Sequence, residues 1–220
     1  IQQLLTHRSG LQADMPIIDF IKYMDTLHCR FHHLFSEKPE SIFNIEVAED
    51  FYMNKVYLDT LWFIINNLEV DTVPGYKYSD VNFSVLYQII TSKLDTTMDI
   101  FLENSIYLPL GLRYMTFNPL DKFEQSQIVP TQNDRYWRKQ LVHGYVHDPA
   151  AALYGGVAGN AGLFSNANDL GVLFQMLLNG GVYGGKRYFE TETVRLFTSS
   201  QPETSRSEEH TSELQSLLII

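Results

Sequence analysis

VHDPAAALYGGVAGNAGLFSNANDL, residues 146–170, crowds a His-Asp pair, four glycines and the start of a helix into one segment. Glycines at 155, 156, 159 and 162 permit positive φ and close backbone approach, which ordinary loops seldom need four times. Ser165 precedes Asn168, Asp169 and the apolar series Leu170, Leu173, Phe174 and Leu177 at helical spacing, so it is the predicted N-cap. The stretch reads as the wall of a site feeding a helix.

Three further segments stand upstream of it in fixed order: LLTHRSGL (4–11), YSD (78–80) and YLPLGL (107–112). With 146–170 they resemble the serine β-lactamase and penicillin-binding-protein superfamily, and the resemblance runs over nearly all of 1–205. It implies an α+β, β-lactamase/transpeptidase-like fold, here dominated by the helical subdomain. That family works through S-x-x-K on a helix, Y-x-N on a loop, and K-T-G or H-x-G on a strand. No serine of this chain has a lysine three positions later. The first motif is therefore expected upstream of LLTHRSGL and the third downstream of a helix beginning near Glu192, both outside this chain.

The termini fit that expectation. Ile1 is not an initiator methionine, so 1–205 reads as a partial domain. Residues 206–216, RSEEHTSELQS, resemble a translated sequencing-adapter oligonucleotide, so 206–220 is expected to be a non-native tail without stable packing; a native polar tail is the alternative. Composition suits a globular body, with 45% hydrophobic and 19% charged residues. The net charge of −10 includes −2 from 206–220, one Arg against three Glu. Such an acidic body is a poor partner for nucleic acid. The best apolar run, Leu61 to Ile65, is far too short to cross a membrane. A lone Cys29 neither requires nor excludes an oxidising compartment.

Periodicity predicts a helix-rich chain. Gln2 to His7 is a short helix stopping near Gly10. From Asp14 to Glu46 the pattern is weak and reads as an irregular insertion. Tyr57 to Leu68 places Leu58, Leu61, Trp62 and Ile65 on one face, and Pro74-Gly75 breaks the chain. Phe83, Leu86, Tyr87, Ile90 and Leu94 mark the next helix, followed by Met98 to Ile106. Ile128 to Pro130 and Leu141 to Val146 are strand candidates.

The candidate chemistry centres on YSD. A serine hydroxyl is a weak nucleophile, so acyl transfer needs a base within hydrogen-bond reach. A tyrosine, with a pKa of about 10, serves only beside a cation that favours its phenolate. The resemblance implies that Tyr78 is that base and that Asp80 shares the site, with capping of the following helix as a concurrent role for Asp80. An interfacial Tyr78 with Asp80 as a helix cap is the bland reading. The family commonly has an amide at Asp80, which donates as well as accepts; a carboxylate only accepts, and would repel an anionic substrate. His147 and Asp148 are adjacent, so a direct relay between them is not expected. The resemblance puts both, with Gly159 and Asn160, at the substrate pocket. A hydrogen-bonded loop histidine is the alternative for His147. The run 159–162, GNAG, leads straight into a helix and is not the strand motif.

His28, His32 and His33 lack an H-E-x-x-H pattern and read as surface or packed side chains. No cofactor is expected. DRYWRK (134–139) reads as a solvated turn with Trp137 covering apolar surface. The resemblance implies a whole protein that transfers acyl groups through a seryl ester, on a small-molecule ester or amide or a peptidoglycan-derived substrate, outside the cytoplasm in the periplasm or beyond. More narrowly, 146–170 is similar to class C β-lactamase-related domains fused to family 3 glycoside hydrolases, the β-N-acetylglucosaminidases. A non-catalytic module of the same fold beside such a glycosidase is the rival.

Overall fold

The computed structural model describes residues 1–15, 34–72 and 75–199. Cys29, the three histidines at 28, 32 and 33, Pro74 and the tail 206–220 lie outside the described residues.

The first helix is shorter than its pattern suggests, Gln2–Leu5, and Gly10 does not stop it. His7 does, with φ 53°. The His7 N–H bonds the Leu4 carbonyl at 3.2 Å and the Arg8 N–H bonds the Gln3 carbonyl at 2.8 Å. That is a Schellman closure with histidine where glycine is usual. The expected irregular insertion is partly a sheet. Phe35–Ser36 and Phe43–Ala48 flank Phe51–Asn54, all antiparallel, with Phe35 opposite Met53. Register shifts at 43/45 and 46/48 interrupt the strict alternation, which is why the period of two is faint in the sequence.

Tyr57–Asn66 forms the expected helix and buries Leu61 and Ile65. Asp80–Thr91 follows, burying Phe83 and Leu86. The helix from Met98 is regular only to Leu102. It widens into a π-turn at Glu103–Tyr107 before Leu108–Leu110. Pro109 has no N–H to send back to Ser105, and the wider turn relieves the clash its ring would make there.

The later strands lie where hydrogen bonding allows, slightly off their apolar runs. Pairing begins with the Thr131 N–H on the Val142 carbonyl at 2.8 Å. It continues as Gln132–Asp134 against Gln140–Val142. Ile128 to Pro130 is excluded because proline has no ladder donor. Ala167–Leu178 is capped by Asn166 in place of the expected Ser165: its side chain accepts the Asp169 N–H at 2.9 Å. Asp169 in turn accepts the Tyr114 N–H at 2.6 Å, tying this helix to the segment before Phe117. Thr191–Thr198 is the last described helix.

Two apolar clusters hold these pieces. One joins the sheet, helices 57–66 and 80–91, and Ala150–Leu153; the other joins Met98–Phe117 to Leu173 and Met176. Between the first cluster's helices, Trp62, Tyr154 and Tyr87 form an aromatic stack, with Trp62 and Tyr154 centroids 5.0 Å apart.

Candidate functional site

The helix Asp80–Thr91 begins at Ser79, whose hydroxyl accepts the Asn82 N–H at 3.3 Å. Asp80 is thus the first helical residue and does not cap the helix, contrary to its expected second role. Its own N–H bonds the Ala13 carbonyl at 2.9 Å, and its carboxylate is left for other partners. Tyr78 is 38% exposed. Its hydroxyl donates to Asp80 Oδ1 at 2.9 Å, and its ring lies 4.7 Å from the imidazole of His7 at 31°. Burial pushes the Asp80 carboxyl above its ordinary pKa; the Tyr78 hydrogen bond opposes this, and the charges of Asp148 and Asp14 add to it.

Asp148 caps the short helix Pro149–Leu153. Its Oδ1 accepts the Ala151 N–H at 2.7 Å and the Asn160 side-chain amide at 3.1 Å. The other end of that amide, Asn160 Oδ1, is buried and has no hydrogen-bond partner among the described residues. Asp80, Asp148 and Asn160 are thereby brought together, and Tyr78 joins them through Asp80. Gly159 explains how the wall comes so close. A Cβ there would stand 2.2 Å from the Phe83 carbonyl oxygen, so the wall's backbone lies directly on the helix that Tyr78 precedes.

Beside this wall is a groove of about 420 Å³, lined by Met98, Leu102, Phe117, Val146, His147 and the run 158–165. His147 is exposed at its edge. Tyr78, Asp80 and Asp148 are not among the lining residues. Of the six candidates, then, His147, Gly159 and Asn160 face the groove, and Asn160 links it to the Asp148–Asp80–Tyr78 group. Among the described residues, no group of three or more His, Cys, Asp or Glu side chains is placed to hold a metal ion.

Two features escaped the sequence reading. DRYWRK is no solvated turn: Asp134 and Arg138 form a buried ion pair at 2.8 Å. The guanidinium also bonds the carbonyls of Val146 at 2.7 Å and His147 at 2.6 Å, so it fixes the entry to the wall. The i, i+4 spacing of acid and arginine was the available signal, but a two-strand hairpin, not a helix, brings them together. The second feature is His7, 1% exposed, hidden inside LLTHRSGL as one more loop residue.

A model of the beta-lactamase family matches residues 1–211. A protein of Escherichia coli (strain K12) named as a D-alanyl-D-alanine carboxypeptidase is 42% identical over 154 residues, which cover 64% of this chain and 36% of that protein. A protein of the same name from Salmonella typhi is 40% identical over the same shares. The chain thus spans about a third of the length of these curated relatives. The octameric penicillin-binding protein homologue from Pyrococcus abyssi superposes with a TM-score of 0.54 at 17% identity, covering 91% of this chain and 38% of that one, a likeness of fold. The α+β architecture is the β-lactamase/transpeptidase-like one, and the chain belongs to the beta-lactamase family.

Proposed function

We propose that the whole protein is a serine hydrolase that cleaves a peptidoglycan-derived amide, of the D-alanyl-D-alanine-ended kind, by acyl transfer through a seryl ester outside the cytoplasm. The observation that carries this reading is the Tyr78–Asp80 hydrogen bond at the start of the 80–91 helix, within a chain matched along 1–211 by the beta-lactamase family. The name shared by the 42% and 40% identical relatives supports the substrate class over a glycosidase-fused domain.

The proposed chemistry needs a serine and a lysine supplied by the rest of the whole protein. Tyr78 takes the proton of the attacking serine hydroxyl as its oxygen bonds the substrate carbonyl, and returns it to the leaving amine. Water then attacks the seryl ester by the same proton path, releasing the acid and restoring the serine. A tyrosine performs this only with a cation beside it. The charges of Asp148 and Asp14 add to burial in disfavouring the ionised Asp80 carboxyl, and the lysine of an S-x-x-K motif is the cation that such a site calls for. Asn160 and His147 supply polar contacts at the edge of an otherwise apolar groove, a pattern suited to orienting a small ligand.

The test is release of D-alanine from an N-acylated tripeptide ending in D-alanyl-D-alanine, by the whole protein and its Tyr78→Phe variant. Tyr78→Phe should lower kcat by roughly 10²–10⁴-fold, the usual weight of a proton-transfer group, with KM little changed because the ring is kept. Unchanged turnover removes Tyr78 from the mechanism, and no D-alanine release by the whole protein leaves the non-catalytic module ahead.

A further inference from the structure

We propose that His7 is a positioning residue for Tyr78, fastening Tyr78 and Ser79 to its buried imidazole and Lys77 to its backbone carbonyl. Three consecutive residues meet it through three different groups. The Lys77 N–H bonds the His7 carbonyl at 2.9 Å, the Tyr78 ring stacks on the imidazole at 4.7 Å, and the Ser79 N–H bonds Nδ1 at 3.1 Å. The residue that presents its hydroxyl to Asp80 is thus held on both flanks and on one face.

The surrounding network fixes the form of the ring. Ser9 accepts the Leu11 N–H and donates its hydroxyl proton to Asn82 Oδ1. The Asn82 amide therefore turns its NH2 toward His7 Nδ1, at 3.3 Å. With two donors aimed at it, Nδ1 must be bare, and the ring's proton belongs on Nε2. Among the described residues Nε2 has no hydrogen-bond partner. Burial also keeps the imidazole neutral, below its ordinary pKa of 6.5. His7 further occupies the left-handed position that ends the first helix, φ 53°, where glycine would be less strained. A strained backbone and three fastenings to Tyr78's segment point to one role: the orientation of Tyr78.

This inference rests on Tyr78 being the base, and the experiment separates the two ideas. In the whole protein, Tyr78→Phe, His7→Phe and His7→Asn are compared for D-alanine release from the same tripeptide. His7→Phe keeps a ring beneath Tyr78 and deletes the acceptor. His7→Asn keeps an acceptor near the Nδ1 position and tolerates positive φ. We expect His7→Phe to lower kcat at least tenfold with KM within twofold, and His7→Asn to recover most of kcat. Both variants close to wild type, while Tyr78→Phe is impaired, overturns the positioning role. Equal losses in both, without rescue by asparagine, overturn it too, because a packing role alone predicts that. A fully active Tyr78→Phe removes Tyr78 as the base instead, and no release by the unaltered protein sinks the proposed function. A measurement free of any folding defect uses the unaltered protein: imidazole 15N shifts of His7 should report the neutral Nε2–H tautomer at pH 7. An Nδ1–H tautomer or an imidazolium overturns the proposal.

Discussion

Arg138→Met should be among the most damaging single substitutions in this chain, at about 4 kcal/mol. The side chains of Asp134 and Arg138 are 2% and 0% exposed, and removing one partner of a buried pair costs roughly 3–5 kcal/mol because the other charge is stranded. The Val146 carbonyl, on a buried residue, also loses its guanidinium donor, a further cost of about 1–3 kcal/mol. The His147 carbonyl loses a donor as well, but His147 is exposed and water replaces it. Two amides soften the loss, since Asp134 still accepts the Tyr136 N–H at 2.8 Å and the Trp137 N–H at 3.3 Å. For a chain of this size 4 kcal/mol is a fall in Tm of roughly 8–16 °C. Thermal and urea denaturation at several pH values would measure it. Burial raises the Asp134 carboxyl, but Arg138 and the two amides outweigh burial and hold it below its ordinary 3.8. A depressed folded pKa means stability present above 3.8 and lost as pH falls through the folded value. Without Arg138 burial is opposed only by the two amides and that carboxyl rises, so the defect should be largest at pH 7 and shrink toward pH 4. Asp134→Asn added to Arg138→Met should recover part of the loss at pH 7. A defect below 1 kcal/mol, or one equal at pH 7 and pH 4, would refute the stranded-charge reasoning.

In the 220-residue chain, Asp80→Asn should stabilise at pH 7 by roughly 0.5–1 kcal/mol after allowance for partial exposure. A raised folded pKa disfavours the ionised form, so the gain fades as pH falls through it; in the whole protein a lysine beside Asp80 would cancel the gain, and denaturation of both forms checks this. Gly159→Ala should cost about 2–4 kcal/mol and shift the wall, because its Cβ would meet a backbone carbonyl at 2.2 Å and not a side chain that can turn away; a melting temperature within a degree of wild type would show that the contact is slack.

The helices at 57–66 and 80–91 were legible because Leu61, Ile65, Phe83 and Leu86 repeat at helical spacing and bury one face. The sheet was not. Its strands are two, six and four residues long and carry two register shifts, so no window holds enough alternation. Helix caps were missed by one residue in both directions: Ser79 caps where Asp80 was expected, and Asn166 where Ser165 was. In each case neighbouring residues both favour the cap position, and only the backbone dihedrals select between them.

The same ambiguity bears on the site. Moving the cap from Asp80 to Ser79 releases the Asp80 carboxylate from helix duty, which is why it can take the Tyr78 hydroxyl. Gly159 then presses the wall onto that helix, and Asp148, which holds Asn160, lies within electrostatic range of Asp80. Only the cap and the Tyr78–Asp80 bond are local in sequence; the rest of the arrangement joins residues near 7, 14, 80, 148 and 160. A motif such as Tyr-x-Asp names its residues, but what they can do depends on His7 beneath the tyrosine and on a glycine roughly eighty positions away. A substitution at either place should therefore change Tyr78's chemistry without touching Tyr78, and no scan limited to the 78–80 segment would find it.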